Sequence, residues 1–179
     1  MSDPLRQAKR PVTPLSGLYG HPLHPILVTV PIGAWVASLV FDVGSRIVHD
    51  PSFLTRGSLW LIAIGVLGAL AAALFGFLDL LVIAPGTPAF RTALLHMALN
   101  LAVTAGYGAG WAWRWLSDHY DQVEAGQITL SAVCLVALGA SGYLGGRLAY
   151  RYGVRVADEE TQAEGFTRPR GGGTGHRPR

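Results

Sequence analysis

Residues 21–43 read HPLHPILVTVPIGAWVASLVFDV: two histidines and two prolines within five positions, then a mostly apolar run as far as Val43. Proline directly after a histidine pre-sets the start of a helix, because its missing N–H is one that no helix start satisfies internally. The string therefore reads as a helix entry that fixes two imidazoles, His21 and His24, at the edge of a membrane.

Further along the chain the same kind of apolar run recurs. A helix crossing about 30 Å of hydrocarbon needs roughly 20 residues, and four stretches qualify, over about 26–48 (its apolar part ending at Val43 and interrupted by Pro31), 58–84, 89–116 and 128–150. All are rich in Leu, Ala, Val and Gly, and none alternates as a strand does. Short connections, with Pro51 in the first and Pro85-Gly86-Thr87-Pro88 in the second, favour antiparallel neighbours. The expected fold is all-α, an up-down four-helix transmembrane bundle. Residues 1–20 read as a cytoplasmic tail, 21–156 as the membrane domain, and 157–179 as a disordered, Gly/Arg/Pro-rich tail in which His176 has no expected role.

Composition supports this class. Half of the 179 residues are apolar and only 14% are charged, where soluble domains carry about a quarter. The single cysteine, Cys134, excludes an intrachain disulfide and any iron–sulfur cluster held by this chain alone. The basic pI of about 9.4 comes mostly from the two ends, and no aromatic residues interleave a basic stripe, so nucleic acid is not an expected partner. Met1 to Leu18 contain Asp3, Arg6, Lys9, Arg10 and three prolines with no apolar h-region, so the first span is expected to act as an uncleaved anchor.

Lys and Arg counts set the expected orientation. Arg6, Lys9 and Arg10, then Arg91, then Arg147, Arg151 and Arg155 fall on one side. Arg46, Arg56 and Arg114 fall on the other, beside Asp50, Asp118, Asp121 and Glu124. The positive-inside rule puts both termini in the cytoplasm of a bacterial inner membrane. Trp60, Tyr107, Trp111, Trp113 and Trp115 fit an interfacial belt on the outer side. Small residues recur every four positions (Gly68, Ala72, Gly76; Gly106, Gly110; Ser141, Gly145; Gly142, Gly146), a spacing that lets helices approach closely.

The polar residues within the spans converge at the cytoplasmic end. His21 and His24 open the first span, Asp79 lies about a turn from the end of the second, Arg91 and His96 begin the third, and Asn100 follows one turn inward. Asp79 and Arg91 are expected to pair, and Asp42, near the outer end, to pair with Arg46. Ionisable residues meeting at one level in a membrane protein are a site by default. Neutral imidazole suits haem iron or a transition metal, and His24 and His96 on the parallel first and third spans could flank a porphyrin, with Asp79 and Arg91 holding ring nitrogens or propionates. A smaller metal would draw in His21 and Asp79. Proton handling beside a quinone is a third use.

HPLHPILVTVPIGAWVASLVFDV, GFLDLL, RTALLHMALN and YLGGRLAYRYGV, in that order, resemble the prokaryotic membrane family catalogued as domain of unknown function 2231, over about Gly20 to Val156. The resemblance implies the fold and the location. His21, His24, Asp42, Asp79, Arg91, His96 and Asn100 fall on the family's recurring polar positions, and its closing motif often has histidine where this chain has Tyr152. Some members are fused to a Rieske-type iron–sulfur domain, which implies a link to electron transfer and, for this chain, a separate ferredoxin-like or Rieske-type partner on the cytoplasmic side.

The expectation is a small redox or cofactor-binding membrane protein. It would hold haem b, or alternatively a transition metal, through His24 and His96, with His21 as alternate ligand and Asp79, Arg91 and Asn100 around them. The rival is a non-catalytic scaffold or assembly subunit whose polar cluster is structural. A transporter is disfavoured by four spans without an internal repeat or a broken helix pair. Hydrolysis finds no nucleophile elbow, phosphate loop or zinc-protease helix. The sequence leaves open whether the chain is an enzyme and whether it self-associates.

Overall fold

The computed structural model describes residues 4–17, 21–117 and 120–166. Asp118, the tail beyond Phe166 and His176 lie outside them. Within them the chain is all helix and turn: α1 (Pro4–Lys9), a 3-10 turn (Pro14–Ser16), α2 (Leu23–Leu27), α3 (Thr29–Ser45), α4 (Ser52–Leu80), α5 (Pro88–Ser117), α6 (Ala125–Gly146), a π-helical turn (Arg147–Arg151) and α7 (Glu159–Glu164).

The proline chemistry of the opening string acts as expected. Pro22 is the N-cap of α2, and Pro25 sits in its first turn, where a missing N–H costs nothing. Pro31 then removes the bond that Leu27 would receive, so α2 and α3 meet at Val28 as a break within one continuous span, Leu23–Ser45. α4 begins after Pro51, with Asp50 accepting bonds from the backbone N–H and hydroxyl of Ser52. It ends at Leu80, short of the expected Ala84. Val82 and Ile83 are instead buried in a turn, Ile83 packing with Leu80, Ala93 and Leu148. An apolar run buried as a loop reads like helix in sequence. Thr87 accepts from the N–H of Phe90 and so starts α5, and Glu124 with Gln127 closes a capping box on α6.

Side-chain contacts give the directions of the long helices. His24 meets Ala72 and Asp42 meets Ser58, so the first segment runs against α4. His96 meets Ser141 and Arg114 meets Ser131, so α5 runs against α6. His24 lies beside His96, Trp35 on Tyr107 and Asp42 on Arg114, so α3 and α5 run the same way. The core at mid-height is Trp35, Ile62, Val103, Tyr107 and Cys134, with Trp35 and Tyr107 stacked at 4.2 Å and 9°.

Among the described residues, three helical stretches are long and apolar enough to cross a membrane: Leu23–Ser45, Ser52–Leu80 and Ala125–Arg151. α5 matches them in length, with 30 residues, but carries Arg91, His96, Asn100 and Arg114. Outward-facing apolar side chains such as Val36, Val40, Leu67, Leu74, Val133 and Val136 are exposed, as a lipid-facing surface requires.

The segments read as tails are partly built. Ala8 and Ser16 are buried, and Arg155 ties them to the C-terminal end of the membrane domain: its N–H donates to Ala8 O, and its Nη2 donates to Ser16 O at 3.0 Å. Beyond it Asp158 caps α7 through the N–H of Thr161.

Candidate functional site

The break before Pro31 leaves His24 on the first turn of its span, turned against α4. Its Nδ1–H donates to Ala72 O at 2.8 Å. His96, two turns into α5, donates from Nδ1 to Ser141 O at 2.8 Å. A backbone carbonyl can only accept, so these bonds set the tautomer of both rings and leave each Nε2 with its lone pair. The two ring centroids stand 6.2 Å apart at 84°.

Asn100, one turn beyond His96, donates to Ser141 Oγ at 2.8 Å and to His96 O at 2.9 Å, and stands 3.2 Å from His96 Nε2. Glycine makes room for both rings. A Cβ on Gly76 would lie 2.9 Å from Nδ1 of His24, and one on Gly145 3.1 Å from Cε1 of His96. The sequence shows Gly76, Ser141 and Gly145 only as members of small-residue stripes; here those stripes cradle imidazoles.

Other expected members are placed differently. Asp79 does not pair with Arg91. It pairs with Arg155, Nε to Oδ1 at 2.9 Å. Arg91 and His21 are exposed. Asp42 does not pair with Arg46 but with Arg114, Nη2 to Oδ2 at 2.6 Å, while Arg46 donates to Val123 O at 3.0 Å. Both errors share a cause: sequence proximity marks neighbours along one helix or across one loop, and the true partners come from α5 and from the chain after α6. Arg155, counted in sequence only toward topology, adopts a left-handed backbone at φ 59°, a conformation that costs an L-residue roughly 1–2 kcal/mol and is held here by its ion pair and backbone bonds.

Among the described residues no group of three or more His, Cys, Asp or Glu could hold a metal ion. The set of His21, His24, His96 and Asp79 that a small metal would need is therefore not assembled. The histidine pair offers two nitrogens. Two imidazole nitrogens on opposite sides of one metal atom, at about 2.0–2.1 Å each, place their ring centroids about 6 Å apart; the centroids here stand at 6.2 Å.

A family model described as "Predicted membrane protein (DUF2231)" matches residues 20–158. The chain belongs to that family. No curated protein and no solved structure matches it. The DUF2231 match spans every long helix, the histidine pair and the Asp42–Arg114 ion pair, and ends three residues after Arg155. As a DUF2231 member with three candidate spans the chain is a multi-pass membrane protein in contact with the lipid bilayer.

Proposed function

We propose that the chain is a small electron-transfer component of the bacterial inner membrane, an up-down bundle in which α5 is the fourth span and both termini face the cytoplasm, with haem b held between His24 and His96. The single observation that carries this reading is the histidine pair: two imidazoles from different helices, each oriented by a carbonyl at Nδ1, with ring centroids 6.2 Å apart. Haem suits a two-nitrogen site better than a bare ion does. A porphyrin supplies the other four ligands itself, whereas a structural zinc site needs four from protein. Haem, when bound, supplies one-electron transfer.

The chain's own residues do the rest. Ala72 O and Ser141 O fix the rings and raise their basicity, Gly76 and Gly145 admit them, and Asn100 holds His96 against Ser141. Arg91 is a solvent-facing cation at this end that a propionate could use. With Arg147 and Arg151 it also makes a basic cytoplasmic face suited to an acidic ferredoxin-like or Rieske-type partner. Spanning by α5 is supported by its length and by the inward placement of His96, Asn100 and Arg114.

One observation favours the rival reading, a structural cluster in a scaffold subunit: Nδ1 of each histidine, Asn100 and Asp79 already have protein partners. Purification from haem-replete cells decides between them. The proposed function predicts a Soret band that is lost in both His24→Ala and His96→Ala. A colourless protein that takes up no haem when it is supplied, and is merely less stable with either substitution, establishes the scaffold.

A further inference from the structure

The last long helix ends in the π-helical turn Arg147–Arg151, where the N–H of Tyr152 reaches back five residues to Arg147 O at 3.1 Å. Such wide turns are rare and are found mostly where a site is built. Tyr152 packs on the apolar cluster of Leu80, Ile83, Ala93 and Leu148, which fixes its ring. Two guanidiniums flank that ring: those of Arg147 and Arg151 each stand 6.0 Å from its centroid. Nη2 of Arg147 donates to the Tyr152 hydroxyl at 3.3 Å, and the Thr92 side chain of α5 bonds the same hydroxyl. The group therefore joins the start of α5 to the end of α6.

Its charge is not met within the chain. Among the described residues no carboxylate pairs with Arg147 or Arg151, whereas Arg114 and Arg155 each have one. Two cations beside one phenol repel each other, and an anion between them removes that cost. The level selects the anion. Arg151 is the last residue of the candidate span Ala125–Arg151. Arg147 follows Tyr143 by one helical turn, and Tyr143 and Val136 are exposed on the lipid-facing side of α6. An acyl chain laid along that face brings its head group to the two arginines. The planar fork of arginine takes phosphate oxygens in pairs, and basic pockets between membrane helices are where anionic head groups settle. A soluble anion would gain nothing from the apolar approach.

We propose that Arg147 and Arg151, with the Tyr152 hydroxyl, bind the phosphate of an anionic phospholipid. This occupies two of the three cations of the basic face and leaves Arg91 to a soluble partner. The site rests on α6 as a span and is independent of the histidine pair.

The test strips the full-length protein of lipid in non-ionic detergent and titrates it with dioctanoyl phosphatidylglycerol or dioctanoyl phosphatidylcholine, counting bound lipid per chain by native mass spectrometry. Saturable binding of phosphatidylglycerol is expected, about tenfold or more tighter than that of phosphatidylcholine. Arg151→Gln, at an exposed position, and Arg147→Gln should each weaken it about fivefold, in protein whose melting shows it folded. Arg10→Gln removes an exposed cation from the segment that Arg155 ties to this end and should leave binding unchanged. Excess inorganic phosphate should not displace the lipid. His24→Ala should bind as the unaltered chain does, so failure of the haem proposal and failure of this one are told apart. Three results overturn the proposal. Equal binding of the two lipids leaves the arginines as markers of orientation alone. Equal losses in Arg10→Gln and Arg151→Gln mean a diffuse charge effect, and displacement by phosphate assigns the site to a soluble anion.

Discussion

Replacing Asp42 and Arg114 by apolar residues, singly and together, tests how the far end of the bundle is held. Asp42 is fully buried and the Arg114 side chain is 5% exposed. Asp42→Leu strands a guanidinium whose remaining contact is Ser131 Oγ at 3.4 Å, and removes the acceptor of the Ser58 hydroxyl. Arg114→Met strands a carboxylate with only the Ser58 and Ser131 hydroxyls. Removing one partner of a buried pair costs about 3–5 kcal/mol, while replacing both by apolar groups of similar volume is often near neutral. Each single substitution is therefore expected to cost about 3–5 kcal/mol, and the double no more than the milder single, a coupling of about 3 kcal/mol or more. Reversible unfolding in mixed micelles, followed by tryptophan fluorescence, measures all four proteins. Singles that each cost under about 1 kcal/mol, or a double equal to their sum, would refute the reasoning, since both outcomes mean that the charges are solvated rather than dependent on each other.

The glycine cradle gives a sharper contrast. Gly76→Ala puts a methyl 2.9 Å from His24 Nδ1 and should cost about 1–3 kcal/mol by overpacking and abolish haem uptake. Gly142→Ala, with open space around it, should be neutral or stabilise by up to about 1 kcal/mol; equal melting shifts for the two would contradict the packing. Asp79→Asn should loosen Arg155 and with it the N-terminal segment, seen as faster tryptic cleavage at Arg6 and Lys9, whereas Arg91→Gln should leave the cleavage rate unchanged. The reverse ranking would restore the Asp79–Arg91 pairing.

What could be read from residues alone divides by range. The helix entry at Pro22, the break at Pro31 and the start of α5 near Pro88 follow from proline and capping chemistry, which acts within a few residues. The level at which His24, His96 and Asn100 meet follows from counting turns along apolar spans. The end of α4 was not legible, because Leu81–Ile83 are as apolar in a turn as in a helix. The partners of Asp79 and Asp42 were not legible either: Arg155 lies beyond the last span and Arg114 on another helix, and nothing local distinguishes them from Arg91 and Arg46. The stripes of small residues were visible, but their meaning depended on which side chain lay opposite, the His24 imidazole at Gly76 and the Cys134 sulfur at Gly106.

α5 shows why the polar residues of this chain belong to its interior. Along one helix His96 and Asn100 meet α6 and the first span at one end, Tyr107 donates to Ser131 O at mid-height, and Arg114 reaches Asp42 and Ser131 at the other. Its inward positions thus carry the groups that make it the least apolar of the four long helices, while Leu94, Leu95 and Leu101 remain exposed. A helix of this composition alone in lipid would leave a guanidinium and an amide without partners. In the bundle each is met by a side chain from another helix. The apolar layer of Trp35, Ile62, Val103 and Cys134 separates the two polar centres, so damage at the histidine pair should leave the Asp42–Arg114 pair intact. Substitutions at the two ends should therefore add in stability, whereas those within one end should couple.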